Sequence, residues 1–253
     1  MIDPSLSYTE YAALPGLRWS VLRHMGDSPR HCKHAALNQR ESAERTLLRA
    51  IHAAVLERRQ SHVVWTGESR RGKVWDLFRE AHAGRDILTV KEDAVLQAVV
   101  SAVHAHPEAS RLLTRGEPEV SLTWDDFKGR IDWLGPDYLV DLKTLDSTDA
   151  SSVARLLALH QYHGQMAHYR DGLRRNGVPV DRVYLIVAEG SHAHDVAVFD
   201  LDDDSLREGL RLRDEYAARY RECNRTGHWP GRHPEIAPLG LPDWAMPKEV
   251  AGE

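Results

Sequence analysis

The chain has 253 residues, 42% hydrophobic and 28% charged, which suits one α/β domain with some elaboration. No apolar run approaches the roughly 20 residues that span a bilayer, and two cysteines, Cys32 and Cys223, are too few for a disulfide framework or an iron–sulfur cluster. The net charge of −5 argues mildly against a nucleic-acid partner, but it is unevenly spread: residues 1–91 carry +5 and the rest −10, which leaves room for a local phosphate-binding surface. Such a basic run is more often only a solvated helix face.

The first residues, MIDPSLSYTEY, have neither a basic start nor an apolar core, so no secretory leader is expected and a reducing, cytoplasmic setting is. Residues 8–16 read as a short helix ending in a Pro15-Gly16 turn. Ser20 is placed to cap a helix through Met25, and Ser28-Pro29 starts another, with serine as N-cap and proline in the first turn. Helical spacing runs from Glu41 to Arg59, His62 to Trp65 is a strand, and Gly72 to Ala83 is a helix. Ile87 to Thr89 is extended, Thr89 caps a helix from Lys91 to His104, and Pro107 opens one more turn. Glu117 to Thr144 holds two or three strands joined by tight turns. A long helix is expected from Ser151 to Asn176, paired strands at Val183–Glu189 and Val196–Phe199, and a helix from Leu201 to Glu222. The order predicts a mixed α/β core with an N-terminal helical elaboration, one domain over 1–225 and an irregular Pro/Gly-rich tail over 226–253.

The chemistry gathers on the strand Tyr138–Thr144. Val140 and Leu142 point to one face, Asp141 and Lys143 to the other. An apolar strand with charge on its second face needs a cleft there, or the charge is buried unpaired. Asp132 lies across the Gly135-Pro136-Asp137 turn, and Glu119 supplies a third carboxylate. Mg²⁺ takes oxygen ligands and needs only a few carboxylates, so Asp132, Asp141 and the Leu142 carbonyl form a candidate metal site beside Lys143. Asp-x-Lys alone is common on strand surfaces, where it is worth less than about 1 kcal/mol. Gln165 and Tyr169, four apart on one helix face, are in reach of these acids or of a phosphate. A lone His52 on an apolar helix face is more often a satisfied core histidine. His104-x-His106 and His192-x-His194 read as exposed loop or helix-end residues.

Taken together, Asp132, Asp141-Leu142-Lys143 and Gln165-x-x-x-Tyr169 resemble the PD-(D/E)XK nuclease superfamily. The leader Tyr11–Ser20, Ser28-Pro29, Ala50-Ile-His52 and Glu117–Trp124 extend the resemblance to its RecE-type (exonuclease VIII-like) phage and prophage group, over residues 8–220. The resemblance implies a restriction-endonuclease-like core, a central mixed sheet flanked by helices. It implies Mg²⁺, which Mn²⁺ can replace, two ions per site, and processive 5′→3′ digestion of linear double-stranded DNA that leaves 3′ tails for recombination. Asp132 and Asp141 become metal ligands, His52 approaches a metal, Glu119 is an accessory acid and Lys143 the catalytic lysine, with Gln165 and Tyr169 behind them. Ser20, with Arg18 and Arg30, becomes the contact to DNA phosphate. A RecT-like annealing partner, a ring-shaped homo-oligomer and a bacterial or phage-infected cytoplasm are also implied. Ile131 stands where the name-giving motif has proline, and Leu48 where the histidine helix has glycine. The alternatives are a structure-specific or restriction-like endonuclease of the same fold, or a non-catalytic DNA-binding protein.

Overall fold

Side-chain caps set several helix starts. Ser7 and Thr89 each form a capping box with the glutamate three residues on, and Ser28 accepts from the His31 N–H. The computed structural model describes residues 1–38, 43–191, 193–233, 235–242 and 245. Residues 41–42 of the expected helix, His192 and most of the tail beyond residue 242 lie outside them. The chain runs β1 (Ile2–Asp3), α1 (Tyr8–Ala13), α2 (Trp19–Leu22), a 3₁₀ turn (Arg23–Met25), α3 (Pro29–Leu37) and α4 (Ala43–Val55). Then come β2 (His62–Trp65), α5 (Lys73–Ala81), β3 (Asp86–Thr89), α6 (Val90–Ala105) and α7 (Pro107–Leu112). The central strands are β4 (Glu117–Trp124), β5 (Phe127–Leu134) and β6 (Tyr138–Leu145). They are followed by α8 (Ala150–Leu159), α9 (Tyr162–Arg175), β7 (Arg182–Glu189), β8 (Val196–Asp200) and α10 (Asp203–Thr226).

Six strands form one mixed sheet in the order β1-β4-β5-β6-β7-β8, and β2 and β3 form a small parallel pair. The β6–β7 pairing is parallel, with α8 and α9 as the crossover, and the other pairs of the large sheet are antiparallel. Leu122, Ile131 and Leu139 meet Met166, Leu173 and Leu206 in one core cluster. Val140, Leu142 and Ile186 meet Ile51, Leu96 and Val99 in a second cluster, on the α4–α6 side. Period-two alternation along β6 thus feeds two cores at once. The expected mixed α/β core with helices on its flanks is what the chain forms. No helix among the described residues is long and apolar enough to cross a membrane.

Two local expectations are corrected. Ser20 does not cap: α2 begins at Trp19 with Arg18 as its N-cap and no side-chain cap bond. The helix expected over Ser151–Asn176 is two helices, broken at Gln161, which takes the left-handed conformation at φ 54. The cause is a distant tryptophan. The Trp19 indole Nε1 donates to the Gln161 carbonyl at 3.1 Å, and a Cβ on Gly164 would lie 2.1 Å from the Trp19 ring. A straight helix would have no place for that ring. Beyond α10 the chain has no regular secondary structure through residue 233. Trp229 packs on Tyr220, Pro230 accepts from the Arg30 N–H, and Arg232 pairs with Asp27.

Candidate metal-dependent active site

The site forms where two adjacent strands part. β5 and β6 pair only at Trp133–Val140 and Leu134–Leu139, next to their turn. Beyond that point the Asp132 carboxylate, not a β5 carbonyl, accepts the Leu142 N–H at 2.9 Å. β6 keeps its ladder on the other edge, paired with β7 from Tyr138 to Leu145. Asp141 and Lys143 are therefore fixed in a rigid central strand while the gap toward β5 opens in front of them.

Five elements, β4, β5, β6, α4 and α9, deliver side chains to this gap. Across β5, Glu119 of β4 lies opposite Asp132 but is skipped by the pairing and has φ 54. A left-handed non-glycine residue costs roughly 1–2 kcal/mol, and such strain persists only where the surroundings enforce it. Arg130 does so: its Nε donates to Glu119 at 2.7 Å, and its Nη1 donates to the Ser121 hydroxyl and the Leu6 carbonyl. The last turn of α4 brings His52 Nδ1 to 3.6 Å from Asp132. From α9, Gln165 donates to Asp141 at 3.0 Å and to the Tyr169 hydroxyl at 3.2 Å. Lys143 forms an ion pair with the other Asp141 oxygen.

His52, Glu119 and Asp132 each offer one ligand atom, all within 4.8 Å of one another, and this group could hold a metal. Two ligands on opposite sides of a small cation, each about 2.1 Å from it, lie about 4.2 Å apart, so modest side-chain movement would close the site. The electrostatics fit as well. Burial and Asp132 raise the Glu119 carboxyl. Burial raises Asp132 against the pull of Lys143. Burial lifts Asp141 to about 6, with Lys143 pulling down and Asp132 pushing up. These are crowded acids that a cation would relieve. Burial and Lys143 hold the His52 ring below its usual value, which leaves a neutral imidazole with a free lone pair. Burial opposes the Lys143 charge, but Asp141 and Asp132 outweigh it and raise the ammonium, so Lys143 stays protonated at neutral pH.

A cavity of about 580 Å³ adjoins the site. Lys143, Gln165 and Tyr169 line it, and so do Ser20 and Arg23 from α2 and the 3₁₀ turn. Of the residues singled out in the sequence, His52, Glu119, Asp132, Asp141, Lys143, Gln165 and Tyr169 converge. Leu142 takes part through its N–H. Arg18 and Arg30 do not line the cavity. Arg130 was not read from the sequence, and Arg23 only as one member of the basic N-terminal half. Arg130 had a signal: two before Asp132 on one strand, it shares that residue's face. The place of Arg23 on the cavity wall had no such signal, because it depends on the break at Gln161; its Nη1 donates to the His160 carbonyl at 3.4 Å.

A mixed sheet that opens between two acid-bearing strands, with a lysine two residues beyond the second acid, has the organisation of a PD-(D/E)XK fold. The chain belongs to the family described as PDDEXK-like domain of unknown function (DUF3799), whose model matches residues 19–238. No curated protein matches the chain. Among solved structures it is similar to one named "Putative exonuclease" from Eubacterium rectale, at 14% identity and TM-score 0.68, over 94% of this chain and 96% of that one. It also matches a phage-related exonuclease from Haemophilus somnus 129PT, at 11% identity and TM-score 0.38, over 86% and 98% of the two chains. An alkaline exonuclease from Laribacter hongkongensis matches at 12% identity and TM-score 0.31, over 70% and 96%. The Eubacterium rectale structure supports the fold.

Proposed function

We propose that the chain is a metal-dependent deoxyribonuclease of the RecE type, a 5′→3′ exonuclease on linear double-stranded DNA, with residues 1–225 as its nuclease domain. The observation that carries this reading is the meeting of Asp132, Asp141 and Lys143 where β5 and β6 part, with Glu119 and His52 beside them. The exonuclease name of the Eubacterium rectale protein points the same way.

His52, Glu119 and Asp132 would hold a divalent cation, with Asp141 as a further acid toward a second ion. Bound there, Mg²⁺ or Mn²⁺ neutralises phosphodiester oxygens and acidifies water. Lys143, protonated, stabilises negative charge as it develops on the phosphate. Gln165 and Lys143 between them fix both oxygens of Asp141, which leaves that carboxylate no freedom to turn. Ser20 and Arg23 supply a hydroxyl and a cation on the cavity wall for a strand's phosphate. A single-strand annealing protein as partner, a ring-shaped homo-oligomer around the duplex and recombination as the setting belong to the same reading.

The test is digestion of linear duplex labelled at the 5′ or the 3′ end, with and without a 5′-phosphate, beside a covalently closed circle, in Mg²⁺. Release of the 5′ label, faster from phosphorylated ends, with the circle left intact, is the expected result. Cutting of the circle as fast as the linear duplex replaces the exonuclease with an endonuclease of this fold. No metal-dependent cleavage of any form leaves a DNA-binding protein.

A further inference from the structure

We infer that Tyr162 is a positioning residue for Lys143: its ring face holds the ammonium over the gap between β5 and β6. This rests on the proposed role of Lys143. Lys143 Nζ lies 4.9 Å from the centre of the Tyr162 ring, inside the roughly 6 Å over which an aromatic face attracts a cation. The His160 ring lies 5.4 Å from that of Tyr162, tilted by 37°, and leans on it from the cavity wall.

A lysine side chain has four rotatable bonds and three donors that can turn freely. Asp141 alone fixes Lys143 in distance but not in direction, because an ammonium swings about a carboxylate oxygen at little cost. A ring face on another side removes that freedom. The attraction is non-directional within the face and takes no hydrogen-bond donor, so all three donors remain available to Asp141 and to a substrate. An acid in place of Tyr162 would compete with the phosphate for the same charge, whereas an aromatic ring would not.

The break between α8 and α9 gives this arrangement its cause. Tyr162 is the first residue of α9, directly after the left-handed Gln161. The Gln161 carbonyl is held by the Trp19 indole, and its side-chain amide donates to the Tyr216 hydroxyl at 3.1 Å. Tyr162 therefore starts a helix whose origin is fixed from both ends of the chain. It also lies three residues before Gln165, on the same helix face, so one face of α9 presents Tyr162 to Lys143 and Gln165 to Asp141. The turn that interrupts a long helix is where the two charged residues of β6 acquire their second set of partners.

Two measurements on the full chain test this. The first needs neither metal nor substrate. The chain holds six lysines, so ¹³C-lysine labelling gives a short spectrum in which Lys143→Met identifies the Lys143 signal. The Lys143 Cε protons should show an upfield ring-current shift that persists in Tyr162→Phe and disappears in Tyr162→Leu. The second is steady-state cleavage of linear duplex in Mg²⁺. Tyr162→Leu should lower kcat by about tenfold with KM little changed, and Tyr162→Phe should recover most of it. Equal loss in Tyr162→Phe and Tyr162→Leu overturns the inference, since the hydroxyl and not the ring would then matter. An unshifted Lys143 signal in the unmodified chain overturns it as well. A shifted signal together with full cleavage by Lys143→Met leaves the contact in place but removes the catalytic reading of Lys143, so the two failures are told apart.

Discussion

Lys128 and Lys143 both belong to the central sheet, and their ammonium groups are held by opposite kinds of partner. Lys128 is buried on β5, in the part where β4 and β5 pair without a gap from Val120–Ile131 to Trp124–Phe127. It donates to the carbonyls of Tyr11, Ala12 and Leu14 at 3.2, 3.0 and 2.5 Å. Those are carbonyls at the end of α1, of which only that of Tyr11 also accepts locally, from the Leu14 N–H, so a cation there closes the helix end and fastens it to the sheet. Lys143 sits where the ladder is open, and its partners are acids that have uses of their own. Histidines divide the same way. His168 is fully buried between Trp124 and Phe127 with Nε2 at 3.0 Å from the Lys128 carbonyl, while His52 faces two acids. Lys128 and His168, in the closed part of the sheet, end on main-chain atoms. Asp141, Lys143 and Gln165, at the open part, end on one another, and that is the arrangement from which a ligand can draw contacts.

Substitution of the two lysines should separate these roles most sharply. Lys143→Met and Asp141→Asn should each lower Mg²⁺-dependent cleavage about 10³-fold, within the range for losing a charge-stabilising or proton-handling group. Circular dichroism spectra should stay close to that of the unmodified chain. Lys128→Met should do the reverse. It strands the Ala12 and Leu14 carbonyls, at a cost of about 2–3 kcal/mol read from urea unfolding, while cleavage per folded molecule at low temperature is retained. Full activity in Lys143→Met would remove the site assignment, and unchanged stability in Lys128→Met would remove the stapling role.

The comparison extends to pH, with opposite slopes. His168 is held down to about 3 by burial, against 6.5 ordinarily, with its hydrogen bond to Lys128 pulling the other way. A depressed base contributes stability that is complete above about pH 6.5 and drains away as pH falls toward 3. Asp141 is lifted to about 6 from 3.8. A raised acid contributes stability that is complete below about pH 4 and is lost as pH climbs through about 6. In EDTA, Asp141→Asn should therefore gain stability relative to the unmodified chain as pH rises from 4.5 to 7.5. His168→Gln should lose most at pH 7.5 and least at pH 4.5. Urea midpoints at the two pH values measure both. If Asp141→Asn loses ground as pH rises, Lys143 outweighs burial and Asp141 is not strained. Adding Mn²⁺ should cancel much of the Asp141→Asn advantage, because the cation binds ionised acids.

The sequence was most informative where the signal was local. Alternation along Tyr138–Thr144 placed Asp141 and Lys143 together, and the serine and threonine caps at Ser28 and Thr89 marked helix starts within a residue. Helical spacing put Gln165 and Tyr169 on one face, and the structure joins them directly. What the sequence hid depends on contacts across great separations. The expected helix over Ser151–Asn176 is broken by Trp19, more than a hundred residues earlier, and no propensity in His160-Gln161-Tyr162 announces it. With that break come Arg23 and Tyr162. The burial of Lys128 depends on the end of α1, more than a hundred residues earlier, folding over it. The strain at Glu119 is likewise a tertiary matter, since Arg130 and the Leu6 carbonyl enforce it.

Gln165 offers the finest probe of the open part of the sheet, because it touches Asp141 without bringing charge. Its Nε2 has two acceptors, the Asp141 carboxylate at 3.0 Å and the Tyr169 hydroxyl at 3.2 Å. Gln165→Met keeps the length and the helix propensity and removes only the donor. Asp141 then has Lys143 as its sole side-chain partner and can turn about that pair. A hydrogen bond to a charged group is worth about 1.5–3 kcal/mol, so kcat should fall about tenfold or somewhat more, well short of the loss in Lys143→Met. Tyr169→Phe should cost less than Gln165→Met. The Tyr169 hydroxyl accepts from Gln165 rather than touching Asp141, and burial already raises that phenol far above its usual range, so it carries no charge at any working pH. Stopped-flow cleavage of a short labelled duplex would rank the two variants. If Tyr169→Phe falls further than Gln165→Met, the hydroxyl acts on the substrate itself, and Gln165 serves only to hold it there.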